Sequence, residues 1–217
     1  KGKNRQARPE SLVEQWRSSI GSLADMELHP LTIPADAAPA ERHPDAPAPG
    51  TRIASHYQQC FGCGSEHPTG LHMSITAGQG LDVSAVFEVT QHHQGAPGIG
   101  HGGVLAAAFD EALGATNWLL RSTAVTAHLE ISYRAPVPIG SSVYIVARID
   151  AVRGRKIWAS AEGRLNHVDG PLAVTAASLY LHVPVEHFTR HGRNAEVAAA
   201  TSQVEVAHHL ASLDIAP

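Results

Sequence analysis

Cys60 and Cys63 are the only cysteines in 217 residues, so no disulfide framework holds this chain together, and a reducing, cytoplasmic setting is expected. No apolar run approaches the roughly 18 residues that span a bilayer, so no membrane span is expected. Lys1 to Arg8 is not followed by an apolar stretch, and no secretory signal is expected either. Basic charge is not in excess: 16 Lys plus Arg stand against 20 Asp plus Glu, for a formal net charge of −4. A protein dedicated to nucleic acid needs a basic face, so that partner class is set aside. Internal repeats are absent too. What is present, 43% hydrophobic and 17% charged residues, supports one packed core with appended segments.

Histidine is frequent, at 15, which raises the question of a metal. Zinc sites gather ligands at short, regular spacings. Here Cys60-Phe-Gly-Cys63 stands alone with His56, His67 and His72 nearby. A Cys2His2 set is geometrically conceivable, but the histidine spacing is irregular and there is no second cysteine pair. The thiols are therefore expected to pack as small apolar groups in a turn, with no metal and no cofactor.

Along the chain, Leu12, Val13, Trp16, Ile20 and Leu23 recur at helical spacing, predicting an amphipathic helix over 9–25. A Pro/Ala tract follows over 28–50 and reads as an extended linker or wrapping arm. The expected organisation is an N-terminal helix and arm over 1–50, one domain over 51–184, and a C-terminal extension over 185–217, where VEVAHHLASL suits a short helix. Within the domain, 71–75 and 81–89 alternate around Ala77-Gly78-Gln79-Gly80, a hairpin signal. Residues 102–120 form an Ala-rich segment apolar on nearly every side, which predicts a buried helix. Four β-like runs follow, at 127–133, 142–152, 157–166 and 172–183. One buried helix followed by antiparallel strands implies an α+β fold, an antiparallel sheet wrapped around a single long helix.

Asp110 lies inside that helix, where an ionised carboxylate is costly unless something pairs with it. The alternative is a carboxylate on the solvent edge beside Glu111. At the helix start, His101-Gly102-Gly103 offers unpaired N–H groups, a favourable dipole and open approach, features that stabilise the oxyanion of an attacked carbonyl. Asp110 is eight residues beyond Gly102, about 12 Å along the axis at 1.5 Å per residue. A base works within about 3 Å of its proton, directly or through one water. If both features serve one site, that site has to be shared between two antiparallel copies of the helix.

Three motifs in order carry a resemblance. The run HQGAPGIGHGGVLAAAFDEALG from His93 to Gly114 is similar to the signature of hot-dog-fold acyl-CoA thioesterases, especially the PaaI-like group and the related human thioesterase superfamily proteins. CFGCGSEHPTGL, from Cys60 to Leu71, resembles the family's CGxxNPxGL opening, with His67 in place of Asn. TAHLEISYRAPVP, from Thr126 to Pro138, resembles the family's strand pattern T-x-x-L-x-I-x-Y-x-x-P-x-P. The resemblance spans about residues 56 to 184. It implies a hot-dog fold, a homodimer or dimer of dimers with interfacial sites, an acyl-CoA substrate and a place in lipid metabolism.

Matched position by position, the resemblance makes Asp110 the residue that activates water or attacks the thioester. Gly102, with Gly103 alongside, becomes the donor to the thioester oxygen. His101 orients the loop or substrate, and Thr126 positions the attacking water. His93 and Gln94 stand near the position where some relatives have an Asn; here that position is Gly95, and the role normally given to the Asn is unassigned. Arg134, Arg153, Arg155 and Lys156 are candidates for the CoA phosphates. Two alternatives stand beside hydrolysis. An acyl-CoA-binding regulator would want an attached DNA-binding domain, for which the first 25 residues are too short. A hot-dog hydratase would want a His a few residues from its Asp, and none lies at that spacing downstream of Asp110.

Overall fold

The computed structural model describes residues 31–202, and the described residues from Ile33 form one compact unit. The helix predicted over 9–25 and the VEVAHHLASL segment lie outside the described residues. Seven antiparallel strands make one sheet: β1 (Arg52–Ile53), β2 (Ser74–Ala77), β3 (Asp82–Glu88), β4 (Ala124–Tyr133), β5 (Ser142–Arg153), β6 (Lys156–Leu165) and β7 (Leu172–His182). Their order across the sheet is β1-β2-β3-β5-β6-β7-β4. The long helix α1 (Gly102–Ala115) lies between β3 and β4 in sequence, and two short helices, α2 (Glu186–His191) and α3 (Asn194–Ser202), follow the sheet.

The sheet closes around α1 because both are built to be covered. Leu105, Ala108, Phe109, Ala112, Leu113 and Ala115 of α1 are buried. Strand β3 alternates, with Val83, Ala85 and Phe87 turned inward and their neighbours outward, and β5 turns Val143, Ile145, Ala147 and Ile149 to the same core. At about 25 cal/mol per Å2 of apolar surface, this burial is the main favourable contribution to folding.

Three boundaries differ from the sequence reading by three residues or more, two of them for a clear local reason. The helix expected over 102–120 is α-helical only to Ala115, and Thr116–Leu120 tighten into a 3-10 turn. Thr116 Oγ1 donates to the Leu113 carbonyl at 2.6 Å and Asn117 Nδ2 to that of Gly114 at 3.0 Å, side chains competing for helix acceptors. The segment ends at Arg121 with φ +54°. The strand expected over 71–75 begins only at Ser74, because His72 sits at φ +50° and the Leu71 and Met73 N–H groups donate to Phe61 and Gly62. Strand β4 begins at Ala124, three residues before the expected 127, and the later strands fall within one residue of expectation, with β2 and β3 paired across the hairpin signal at 77–80.

The described part of the Pro/Ala tract runs along this domain. Ala38 and Val152 exchange two backbone hydrogen bonds at 2.9 Å, and the Gly50 N–H donates to Ala77. One position shows how tightly helix and sheet meet. A Cβ built on Gly163 of β6 would collide with the Phe109 ring and reach Val143 Cγ1 at 3.0 Å. Gly163→Ala is therefore expected to lower stability by about 1–3 kcal/mol, read as a lower urea midpoint with unchanged slope; an unchanged midpoint would show that this contact yields freely.

Candidate active site

The loop entering α1 is stitched before the helix begins. Gly95 N–H donates to the Ile99 carbonyl at 2.9 Å and His101 N–H to that of His93 at 2.7 Å. Gln94 Oε1 accepts from the Gly98 N–H at 2.9 Å, and His93 Nδ1 accepts from the Thr90 N–H at 3.0 Å. His93 packs on Phe87 with ring centroids 5.0 Å apart, and burial lowers its pKa. Both side chains thus have loop-holding partners.

His101 is the N-cap. Its Nδ1 accepts from the Gly103 N–H at 3.0 Å, and its carbonyl accepts from Val104 and Leu105. Gly103 is thereby occupied, whereas Gly102 keeps an N–H with no acceptor among the described residues. Tyr133 donates its hydroxyl to the Gly102 carbonyl at 2.6 Å. Beside them lies a cavity of about 360 Å3, walled by Ile99, Gly102, Leu105, Tyr133, Arg134 and Val137. That size suits a small organic group, and the helix N-terminus opens into it.

Asp110 sits at the other end of α1. It is half-buried, and Thr126 Oγ1 donates to its Oδ1 at 2.9 Å. Burial raises the Asp110 pKa, while the Thr126 hydrogen bond acts against that rise. Tyr180, buried on β7, donates to the Asp110 main-chain carbonyl at 3.2 Å and fixes the helix against the sheet. Thr126 reaches the carboxylate from a β-bulge: the β4–β7 register shifts between Thr126 and His128, and Ala127 is the extra residue. A bulge of this kind re-aims a side chain that a regular strand would direct elsewhere.

Within one protomer the candidates therefore form two groups. Asp110 and Thr126 make one; Gly102, Tyr133 and Arg134 make the other. Thr126 and Tyr133 are seven residues apart on β4, about 23 Å at 3.3 Å per residue. Of the turn cations, Arg153 pairs with Asp36 at 2.5 Å, while Arg155 and Lys156 have no carboxylate partner among the described residues. Lys156 stands opposite Leu181, which stands opposite Val125, so this turn shares the sheet end of Thr126.

Three residues escaped the sequence reading. Tyr133 was legible only as a letter of the strand motif, and Tyr180 as one of several inward residues of β7. Glu111, the third, faces the 56–63 turn, where Cys60 Sγ lies 3.4 Å from its Oε2. The two thiols do not pack as apolar groups. Cys63 Sγ lies 3.4 Å from His56 Nδ1 and 3.3 Å from Ser55 Oγ. The hydrogen bond between the thiols holds Cys60 below the usual thiol range and Cys63 above it, and burial pushes Glu111 up to about 7. His67 instead meets the Phe61 ring edge-on, and His72 Nδ1 pairs with the Gly64 carbonyl.

This helix-in-sheet frame, with its two groups of candidate residues along α1, is the hot-dog fold. Residues 97–167, from the loop before α1 to just past β6, match the thioesterase superfamily model. Acyl-coenzyme A thioesterase THEM4 of Xenopus laevis is 32% identical over 96 residues, 44% of this chain and 43% of the relative. The Bos taurus THEM4 is 37% identical over 79 residues, 36% of this chain and 32% of the relative. The aligned region spans less than half the length of these curated relatives. A solved thioesterase superfamily protein superposes with a TM-score of 0.53 at 26% identity, over 63% of this chain and 70% of its own. Among the described residues no helix is long and apolar enough to cross a membrane.

The cap makes a direct prediction. His101→Ala leaves the Gly103 N–H without its acceptor and is expected to cost about 1 kcal/mol, measured by chemical denaturation. A midpoint equal to wild type would mean that water replaces the ring nitrogen at no cost.

Proposed function

We propose that this chain hydrolyses acyl-CoA thioesters at a site shared between two protomers. The observation that carries the reading is the pairing of the half-buried Asp110 carboxylate with Thr126 in a helix whose N-terminus opens a cavity at Gly102. The similarity to proteins named acyl-coenzyme A thioesterases supports the substrate class.

A two-fold axis centred on Ala106 would bring Asp110 of one helix opposite Gly102 of its antiparallel copy. On β4 the equivalent centre falls between Leu129 and Glu130, bringing Thr126 opposite Tyr133. The sheet is suited to such pairing: β4 is its terminal strand, and no residue of it is fully buried. An exposed edge of ten residues is a template for a second strand.

The chemistry then needs only the chain's own groups. Thr126 holds Asp110 Oδ1, leaving Oδ2 to take a proton from water. The water oxygen bonds to the thioester carbonyl carbon as the carbonyl oxygen gains charge against the Gly102 N–H of the other protomer. The tetrahedral intermediate collapses with cleavage of the C–S bond, and the thiolate leaves as CoA after taking up a proton. Arg155 and Lys156, at the Thr126 end, and Arg134, beside the cavity, supply cations for the CoA phosphates.

Asp110→Asn is expected to lower kcat for acyl-CoA hydrolysis by about 10²–10⁴-fold, the usual contribution of a positioned base. Turnover within a few-fold of wild type would remove Asp110 from the chemistry. Sharing of the site has its own test. In Gly102→Val the added Cβ would sit 3.2 Å from the Tyr133 ring, with the methyl groups closing the approach. Asp110→Ala and Gly102→Val should each be inactive alone. Unfolded and refolded together, they should recover about a quarter of wild-type turnover, since half of random dimers carry one intact site of two. A mixture that stays inactive while heterodimers form would place both half-sites in one protomer.

A further inference from the structure

A second cluster of chemistry-bearing side chains lies apart from the Gly102 cavity. One donor atom each from His56, Cys60, Cys63 and Glu111 comes together, all four within 4.8 Å of one another. We propose that these residues form a closed tetrahedral site for one divalent zinc-class ion, tying the 56–63 turn to α1. The proposal is independent of the thioesterase reading.

The geometry fits such an ion closely. With Zn–S near 2.3 Å and Zn–N or Zn–O near 2.0–2.1 Å, the edges of a tetrahedron are about 3.3–3.8 Å. Two opposite edges are already at that length: Cys63 Sγ to His56 Nδ1 and Cys60 Sγ to Glu111 Oε2, both 3.4 Å. Two thiolates, an imidazole and a carboxylate select zinc over calcium or magnesium, which take oxygen donors. Four protein donors also complete the coordination, so the ion holds structure and leaves no position for substrate water.

The surroundings support the same arrangement. Ser55 Oγ, whose hydroxyl donates to the Tyr57 carbonyl at 2.9 Å, lies 3.3 Å from Cys63 Sγ as a polar neighbour of the cluster. The turn is held in shape by its own backbone: Gly64 N–H donates to Cys60 at 2.9 Å, Leu71 N–H to Phe61 at 2.7 Å, and Met73 N–H to Gly62 at 3.0 Å. A Cβ on Gly62 would meet the Glu111 carboxylate, so the glycine leaves that group room to face the cluster. A cavity of about 20 Å3 adjoins the cluster, lined by Ser55, His56, Cys63 and Glu111, large enough for one atom-sized guest. Binding replaces the two thiol protons by the ion, so the reduced thiols are the competent state.

The 217-residue chain, purified under reducing conditions without an affinity tag or chelator, is expected to hold about one zinc per chain by elemental analysis. Replacement by cobalt(II) should give a thiolate-to-metal charge-transfer band near the ultraviolet and intense visible bands of a tetrahedral site. Cys60→Ser/Cys63→Ser should lower zinc about tenfold or more and abolish the cobalt bands. Should that variant fail to fold, X-ray absorption on wild type still decides, with two sulfur and two nitrogen or oxygen neighbours expected. His67→Ala and Asp110→Ala should keep the metal, the latter whatever its hydrolytic activity. The proposal is overturned if reduced wild type takes up neither metal, or if its cobalt spectrum shows no thiolate band. Zinc retained at wild-type level by a folded double-serine variant, or a Cys60–Cys63 disulfide that on reduction leaves thiols indifferent to zinc, would overturn it as well.

Discussion

The helix Gly102–Ala115 presents apolar side chains on most of its circumference, and water cannot be its neighbour on those sides. The sheet supplies the cover: Val83, Ala85 and Phe87 from one strand, and Val143, Ile145 and Ala147 from another, meet Leu105, Phe109 and Leu113. Contact is close enough that β6 carries Gly163 where the Phe109 ring arrives. Because the helix is enclosed over much of its surface, its two acidic residues are partly withdrawn from water. Asp110 finds Thr126, and Glu111 finds the 56–63 turn. Both polar arrangements follow from the same constraint, that a charge carried into a buried helix has to be matched by its surroundings.

Strand β4 answers a different requirement. It closes one end of the sheet, lies over the acidic turn of α1, and leaves its outer edge without a strand among the described residues. Its bulge at Ala127 turns Thr126 toward Asp110, while its far end brings Tyr133 to the Gly102 carbonyl. A single strand thus reaches both groups of candidate residues. The Asp110–Thr126 and Gly102–Tyr133 pairs lie apart along both α1 and β4, and the proposed two-fold pairing rests on that separation.

Much of this was legible in the sequence. Alternation located the later strands, and uniform apolarity marked α1 as buried, because periodicity records which side of an element meets the core. Asp110 and Gly102 stood out for chemical reasons, a carboxylate in an apolar run and glycines at a helix start, whereas Thr126 was marked only by the family resemblance. The end of α1 was less legible, since Thr116 and Asn117 stop it through side-chain hydrogen bonds that leave little mark on composition. So was the environment of the thiols. Spacing along the chain shows Cys60 and Cys63 as a turn, and it cannot show that Glu111, 48 residues beyond Cys63, faces them.

The sequence by itself determined the buried helix, the antiparallel strands around it and the chemical kinds of residue available at each end. Those are local properties, set by periodicity, turn residues and side-chain type. Only the tertiary structure decided which groups meet. It gave His101 to the Gly103 N–H and left that of Gly102 open, set Arg153 against Asp36, and gathered His56, Cys60, Cys63 and Glu111 around one point. Such meetings depend on sheet register, a one-residue bulge and the rotation of α1 about its axis. These are fixed by packing of the whole core, so they are settled only when every element is in place.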